Sequence, residues 1–279
     1  MVIAHFSASD GTPCLICEPH PSGESGERGK TIREQLSGRG LSLPPPGTIN
    51  GTLVLCHGRK GRKEDYLPIA SRLCAVGFRC ILFDMPAHGD HPQEVATYGV
   101  REASLPVTLL HEASAKFGFD ERPAGLLGMS MGGSVAVHSA AEADAPWMAL
   151  VVISSFDSFA EVTGYQASKV LGDGLAGYFS SAVDRVYQGD SGVSIRSIVP
   201  RDKAAEIGIP TMVAHGSDDE VVPLDSGRSL FDAFPNGGGN KWVEVPGAGH
   251  DNVLVTDFPI YAEIAGWMLR HVKAGGFSR

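Results

Sequence analysis

Six short apolar runs, separated by stretches with helical spacing, constrain the fold of this chain more than any other feature of its sequence. The runs cover residues 52–56, 79–84, 124–129, 148–154, 210–215 and 241–245. Apolar residues at helical intervals lie between or after them, most clearly at 64–76, 134–143 and 260–272. Buried strands that alternate with helices form a mostly parallel, twisted sheet with helices on both faces, so the pattern predicts an α/β fold.

Three segments depart from this pattern within what we expect to be a single domain over residues 1–279. The first 18 residues predict two strands around a turn at Asp10-Gly11. Residues 21–50 are rich in Gly, Ser and Pro and predict a long surface excursion. Between 155 and 209 no strand pattern occurs, and two helical runs are interrupted by Gly172, Gly174 and Gly177. We therefore predict a small helical insertion, or cap, over about residues 156–200, after the sixth strand.

Composition excludes several classes of protein. The formal net charge of −9 and the pI near 5.5 argue against a general nucleic-acid binder. Apolar residues at 43% and charged residues at 20% are typical of soluble globular proteins, and no apolar run reaches the length of a membrane span. The N-terminal residues lack the pattern of a signal peptide, which favours a cytoplasmic location.

The five cysteines, at positions 14, 17, 56, 74 and 80, are expected to be reduced and mostly buried. Cys14 and Cys17 have the spacing of a redox motif but lie in a predicted strand, where residues three apart point to opposite faces. No Cys/His cluster has zinc spacing. We expect neither a metal nor an organic cofactor.

Ser130 is the first candidate for chemistry. It is the central residue of G-M-S-M-G at 128–132, between an apolar run and a helical stretch. A strand, a tight turn and a helix form the context in which G-x-S-x-G presents a nucleophilic serine, because the glycines permit a sharp turn. The alternatives are a small residue that only permits close packing and a nucleotide-binding loop, and the latter lacks its own motifs.

A nucleophilic serine needs an adjacent base, which an acid orients. His250 is the best candidate base, because it lies in a glycine-rich loop after the last predicted strand. The other histidines considered lie at a strand end that resembles a turn, inside helices, or after the 79–84 run: His215, His138, His271, His88 and His91. The acid should follow the 210–215 run, where Asp218, Asp219 and Glu220 are adjacent and the residues alone do not choose among them.

The order serine, acid, histidine, each on a loop after a strand, is the order of α/β-hydrolases. The segments LVLCHG, FDMPAHG, GLLGMSMGG, HGSDDEVVP and GAGHDN together resemble that superfamily over about residues 50–272. More narrowly, they are similar to small bacterial carboxylesterases of the dienelactone-hydrolase and prolyl-oligopeptidase-like branch. The resemblance implies the α/β-hydrolase fold and Asp219 as the acid, with Asp218 as the alternative.

The resemblance also implies an oxyanion hole made by the backbone N–H groups of Arg59 and Met131. Candidate substrate contacts lie beside these positions and in the cap: His57, Met129, Phe159, Tyr165, Tyr178 and Phe179. For the four aromatic residues, the cap's own core is the alternative.

Four cations crowd the loop that carries Arg59: Arg59, Lys60, Arg62 and Lys63. One interpretation is a solvated loop that leads into a helix. The other is that one of them, in the first place Arg59, binds a carboxylate or phosphate of the substrate.

These features together predict a serine hydrolase that cleaves carboxylic esters of small to medium acyl chain through an acyl-enzyme intermediate. The predicted partner is a small-molecule ester. A thioesterase, an acyltransferase or a small peptidase would use the same three side chains, and a non-catalytic ligand-binding member of the superfamily is the alternative from another class.

Overall fold

The first two strands form the predicted hairpin. The computed structural model describes residues 1–235, 239–256 and 258–273. β1 (Val2–Ser7) and β2 (Pro13–Glu18) pair in antiparallel register, with Asp10 and Gly11 between them. Cys14 and Cys17 on β2 pack into the cores on opposite faces of the sheet, as predicted. All five cysteines are free and buried, and burial raises the pKa of Cys17 to about 12.

The six apolar runs are strands of one sheet, as predicted. They are β3 (Gly51–Cys56), β4 (Phe78–Phe83), β5 (Ala124–Met129), β6 (Trp147–Ile153), β7 (Thr211–Gly216) and β8 (Lys241–Val245). The strand order across the sheet is β1-β2-β4-β3-β5-β6-β7-β8. β2 runs antiparallel to β4, and every pair from β4 to β8 is parallel. The carboxyl ends of the parallel strands therefore lie at one edge of the sheet, where ligands of such folds bind.

Helices cover both faces of the sheet, which confirms the predicted layers. One face carries α1 (Glu27–Gly38), α2 (Leu67–Ala75) and the last helix, α9 (Ile260–His271). The other face carries α3 (Leu105–Phe117), α4 (Met131–Ala140), α7 (Pro200–Ala204) and α8 (Leu224–Ala233). The apolar strands are buried between these two helix layers.

The segment 21–50 was expected to be a surface excursion, and this expectation is wrong for its middle part. Residues 27–38 form α1, whose Ile32 and Leu36 are fully buried against α2 and α9. Arg33 donates hydrogen bonds to the carbonyl oxygens of Ala75 and Pro44 and ties the segment to the end of α2. The i, i+4 spacing of Ile32 and Leu36 was the available signal, and the surrounding Gly, Ser and Pro residues obscured it.

The predicted insertion after β6 consists of α5 (Phe159–Leu171) and α6 (Asp173–Ser191). Gly172, with φ 74°, separates the two helices, as predicted. Gly174 and Gly177 lie within α6, so the expected interruptions at these two positions are absent. We call α5 and α6 the cap. A small core joins it to the body: Phe156, Val162, Val193, Ile198 and Val222, with Tyr98, Phe159 and Tyr187 packed against it.

Candidate active site

Ser130 forms a sharp turn between β5 and α4. Its backbone angles, φ 53° and ψ −119°, lie in a region that residues other than glycine seldom adopt. A Cβ atom at Gly128 would overlap the carbonyl group of Gly132, and one at Gly132 would overlap the carbonyl group of Cys56. The turn therefore requires glycine at both positions, which is the physical reason for the G-x-S-x-G spacing.

Hydrogen bonds from β6 and the loop after it hold the strained turn in place. The Ser130 N–H donates to the carbonyl oxygen of Ile153 over 2.8 Å, and the Ser155 hydroxyl donates to the carbonyl oxygen of Ser130 over 2.8 Å. Strained backbone persists where the surrounding structure over-determines it. Ser155, which the sequence gave no reason to select, is one of the groups that do so.

The structure brings Ser130, His250 and Asp219 together from three loops. His250 Nδ1 lies 2.8 Å from Asp219 Oδ2, and His250 Nε2 lies 2.9 Å from Ser130 Oγ. Because an ionised carboxylate can only accept, Nδ1 carries the proton and Nε2 is left to accept from the serine hydroxyl. This arrangement can remove the proton from a nucleophilic serine.

Asp219, rather than its acidic neighbours, is positioned to orient His250. Its side chain is fully buried, and its Oδ1 accepts the N–H groups of Val221 and Val222 over 2.9 and 2.8 Å. Burial would raise the pKa of the Asp219 carboxyl, but hydrogen bonds from His215, His250 and Val222 outweigh it and hold that pKa below its usual range.

The two neighbouring carboxylates face solvent and have other partners. Asp218 is exposed and accepts a hydrogen bond from the Ser217 hydroxyl over 2.7 Å. The side chain of Glu220 is 84% exposed and pairs with Lys169 of α5 at 3.1 Å. Geometry thus separates three carboxylates that residue type alone left equivalent.

His215 was interpreted from the sequence as a turn residue, and this interpretation is wrong. It is a fully buried residue of β7 whose Nε2–H donates to the carbonyl oxygen of Val222 over 3.0 Å. The same nitrogen lies 3.4 Å from Asp219 Oδ2, so Asp219 faces two imidazoles. A Cβ atom at Gly227 would overlap the His215 ring, which shows that α8 leaves space for this side chain.

The remaining candidate histidines bond elsewhere. His138 is buried in α4, with Nδ1 2.8 Å from the carbonyl oxygen of Ser134. His88 Nδ1 lies 2.8 Å from the carbonyl oxygen of Pro86 in the loop after β4. His271 is the last residue of α9. His91 lies beside a threonine hydroxyl of the N-terminal hairpin.

The loop after β3 lies directly against the turn at Ser130. A Cβ atom at Gly58 would lie 3.5 Å from the Ser130 Cβ and 3.5 Å from the Met129 carbonyl oxygen. Within the part of the chain that the structure describes, the N–H groups of Arg59 and Met131 donate to no protein acceptor. Met131 is the first residue of α4, where the helix leaves N–H groups unsatisfied. Neither amide is therefore occupied by an acceptor among the described residues.

His57 was expected to contact substrate, and its surroundings correct that expectation. The residue is 1% exposed. Its Nδ1–H donates to the carbonyl oxygen of Gly58 over 2.8 Å, and its Nε2 accepts the Met85 N–H over 3.0 Å. Burial lowers the pKa of His57 to about 4, so the ring is neutral at physiological pH. Both ring nitrogens are used inside the protein, and His57 fixes the loop instead.

The candidate pocket residues fall into different environments. Phe159 stacks on Tyr98 with ring centroids 4.2 Å apart, so it belongs to the core that joins cap and body. The two aromatic residues of α6 point largely to solvent, since Tyr178 is 80% and Phe179 is 47% exposed. The other two are half-buried, one in α5 and one at the end of β5: Tyr165 and Met129. Sequence reasoning missed Tyr98, which lies outside every regular element and so had no periodic signal.

Two further features bear on binding. Among the described residues, no three His, Cys, Asp or Glu side chains are arranged to hold a metal ion. None of the helices in residues 1–235, 239–256 and 258–273 combines the length and hydrophobicity that crossing a membrane requires.

Comparison with known proteins identifies the family. A sequence model described as "Alpha/beta hydrolase family" matches residues 53–261, about three quarters of the chain. The chain belongs to this family. The match begins in β3 and ends in α9, and it therefore includes Ser130, Asp219 and His250. No comparison distinguishes the dienelactone-hydrolase branch from others, so that narrower assignment stays a prediction.

Individual relatives of this alpha/beta hydrolase are distant. The Pyrococcus furiosus esterase Pf2001 is 14% identical, with a TM-score of 0.64 over 97% of this chain and 92% of that chain. A monoacylglycerol lipase from Paleococcus ferrophilus is 22% identical, with a TM-score of 0.62 over 80% of this chain and 96% of that one. The alpha/beta hydrolase domain-containing protein aho-3 of Caenorhabditis elegans is 40% identical over 52 residues, which span only 15% of its length. At these levels the solved structures show a shared fold.

Proposed function

We propose that this alpha/beta hydrolase is a serine esterase that cleaves carboxylic esters of small to medium acyl chain. The observation that carries the proposal is the position of the His250 ring, with one nitrogen 2.9 Å from Ser130 Oγ and the other 2.8 Å from Asp219 Oδ2. A serine hydroxyl at its free pKa is a weak nucleophile, and a neutral imidazole within hydrogen-bond distance activates it. The buried carboxylate of Asp219 stabilises the imidazolium that forms.

The reaction then proceeds in two halves. Ser130 Oγ attacks the ester carbonyl carbon as its proton passes to His250 Nε2, and the carbonyl oxygen becomes an oxyanion. The Arg59 and Met131 N–H groups stabilise that charge, and one such donor contributes ~10²–10³ in rate. His250 returns the proton to the alkoxide oxygen as its bond to the carbonyl carbon breaks, so the alcohol departs and the acyl group stays on Ser130 Oγ. Water, deprotonated by His250, attacks the acyl-serine and releases the carboxylic acid and free Ser130.

Support for an ester as the substrate comes from chemistry and from relatives. A serine with a histidine base acts on acyl groups, and no step in the cycle requires a redox or metal cofactor. Two structural neighbours are an esterase and a monoacylglycerol lipase by name. A thioesterase, an acyltransferase and a small peptidase use the same side chains and differ in the leaving group or the acceptor.

Two cations in the loop after β3 raise the question of whether the substrate carries a negative charge. Arg59 and Lys60 are exposed and pair with no carboxylate of the described residues. If they attract an anionic group of the substrate, charge reversal at both positions lowers the kcat/KM of a carboxylate-bearing ester relative to a neutral one. An unchanged ratio assigns both cations to a solvated loop.

The test of the proposed activity is the hydrolysis of p-nitrophenyl esters from acetate to octanoate by the wild type and by Ser130→Ala. We expect the wild type to hydrolyse these esters and kcat/KM to fall by ~10³-fold or more in Ser130→Ala. The dependence of kcat/KM on acyl chain length measures the size of the acyl pocket. Ser158→Ala removes the hydroxyl of the buried residue that caps α5 and serves as a matched control. Folded wild-type protein that hydrolyses no ester contradicts the proposal.

Labelling of Ser130 by a fluorophosphonate separates the alternatives. A wild type that is labelled but hydrolyses no ester favours thioester, amide or transfer chemistry at the same serine. A folded wild type that is not labelled favours a non-catalytic, ligand-binding member of the family.

A further inference from the structure

Lys63 differs from the other cations of its cluster because it is buried. The residue is 5% exposed, and its Nζ lies 2.7 Å from Asp84 Oδ2, 3.1 Å from Glu64 Oε1 and 3.2 Å from Asp90 Oδ2. The side chain of Arg62, next in the chain, is 49% exposed and pairs with Glu64 at the surface. A buried ammonium is tolerated only where it is paired and hydrogen-bonded, so Lys63 has a role that a solvated loop does not explain.

Asp84 is the buried anion of this pair. It follows β4 directly, is fully buried, and accepts the backbone N–H groups of Lys63 and Asp90 over 2.8 and 2.9 Å in addition to the Lys63 ammonium. A Cβ atom at Gly89 would overlap its carboxylate. The loop after β4 therefore wraps around Asp84, and the loop after β3 is bound to the same carboxylate through both the backbone and the side chain of Lys63.

The start of the loop after β3 is also hydrogen-bonded to the loop after β4. The His57 ring bridges the Gly58 carbonyl oxygen and the Met85 N–H, and Met85 is the residue next to Asp84. Between the two ties, the Gly61 N–H donates to the Gly58 carbonyl oxygen over 3.0 Å and closes a tight turn. Arg59 occupies the first central position of that turn.

We propose that the Lys63–Asp84 ion pair positions the oxyanion-hole amide of Arg59 against Ser130. The inference rests on the proposed function. His57 and Lys63 bind the start and the end of a seven-residue loop to the loop after β4, and the Gly61–Gly58 hydrogen bond closes the turn that carries the amide. Lys63 is thus a positioning residue, which touches no reacting atom and acts through the backbone four residues earlier.

The effect of loosening this tie follows from the geometry that catalysis requires. An oxyanion donor acts at about 2.7–3.1 Å from the developing charge, and a misplacement of about 1 Å costs up to ~10²-fold in rate. We therefore expect Lys63→Met to lower kcat by ~10–10²-fold while KM changes by less than about threefold, because the amide is needed mainly in the transition state.

The experiment compares Lys63→Met with Arg62→Met, which removes the same charge from the adjacent surface position. Because Lys63→Met leaves the Asp84 carboxylate buried and unpaired, the variant Lys63→Met/Asp84→Asn is made in parallel to remove that charge. For each protein, kcat and KM for p-nitrophenyl acetate, the rate of Ser130 labelling by a fluorophosphonate, circular dichroism and the melting temperature are measured.

A folded Lys63→Met with reduced kcat and nearly unchanged KM, beside an Arg62→Met that behaves as the wild type, supports the proposal. If Lys63→Met does not fold, a reduced kcat in the folded double variant supports it equally. A folded Lys63→Met, or a folded double variant, with the kcat of Arg62→Met overturns it, because the pair would then contribute to stability alone.

Failure of the proposed esterase activity gives a different pattern. A wild type that is labelled at Ser130 but hydrolyses no ester contradicts the substrate class, and the ratio of labelling rates between the two single variants still decides the role of Lys63. A wild type that is neither labelled nor active overturns both proposals.

Discussion

Protonation of His57 should break the hydrogen bond that joins the loop after β3 to Met85, and it should destabilise the fold at mildly acidic pH. Burial lowers the pKa of His57 from the ordinary 6.5 to about 4, so the folded protein binds this proton more weakly than the unfolded chain. A proton on Nε2 would also point toward the Met85 N–H, which that nitrogen now accepts. The neutral ring therefore contributes stability that is present above pH ~6.5 and is lost as the pH falls toward ~4.

The size of the effect follows from the two pKa values. One pKa unit corresponds to about 1.4 kcal/mol, and between about pH 7 and pH 4.5 the linkage relation gives a loss of about 2 kcal/mol in the free energy of unfolding. Burial also lowers the pKa of three other histidines, so acidification weakens their contributions to stability as well: His91, His138 and His271. Their contributions are common to the wild type and to a His57 variant, so the difference between the two proteins isolates His57.

The assay is urea unfolding at both pH values for the wild type and for His57→Gln, whose amide oxygen can accept the Met85 N–H without titrating. On acidification, the free energy of unfolding of the wild type should fall by about 2 kcal/mol more than that of the variant. Equal losses in the two proteins would refute the reasoning, since His57 would then be as accessible to a proton when folded as when unfolded.

Three further predictions concern the candidate active site. Asp219→Asn should lower kcat by ~10²–10⁴-fold by favouring the wrong tautomer of His250, whereas Asp218→Asn, at the exposed neighbour, should stay within about twofold. Gly132→Ala should lower the melting temperature and abolish activity, because its methyl group overlaps a carbonyl of β3. Gly164→Ala, where only one atom lies within 4 Å, is its control and should be neutral or stabilising. Because hydrogen bonds hold the pKa of the Asp219 carboxyl below its ordinary 3.8, the ionised carboxylate should contribute stability that is present above about pH 4 and lost in stronger acid, and a wild type whose free energy of unfolding falls no more than that of Asp219→Asn below pH 4 would contradict this.

The sheet and the turn at Ser130 were predictable from the sequence because their signals are local. A buried parallel strand appears as a short apolar run, and the turn at Ser130 leaves glycines at fixed positions on both sides. His250 followed from its place after the last strand. These inferences needed no knowledge of which side chains meet in space.

Residues that act through distant contacts were not predictable in the same way. Lys63 looked like one of four surface cations, since nothing near it in sequence shows that Asp84, 21 residues later, is buried and close. His57 resembled a ligand-binding residue until both of its nitrogens were found bonded within the protein. The choice of Asp219 over Asp218 likewise depends on which carboxylate the loop turns inward.

The central claim, that Ser130 is a nucleophile activated by His250, is tested most directly by trapping the acyl group. Wild type and His250→Gln are mixed with p-nitrophenyl acetate, quenched in acid within the first turnover, digested, and mapped by mass spectrometry. We predict acetylation of the peptide that contains Ser130 in the wild type, and at least ~10²-fold slower acetylation in His250→Gln. A wild type that turns over the ester with no acyl group on Ser130, or with the acyl group on another residue, would contradict it.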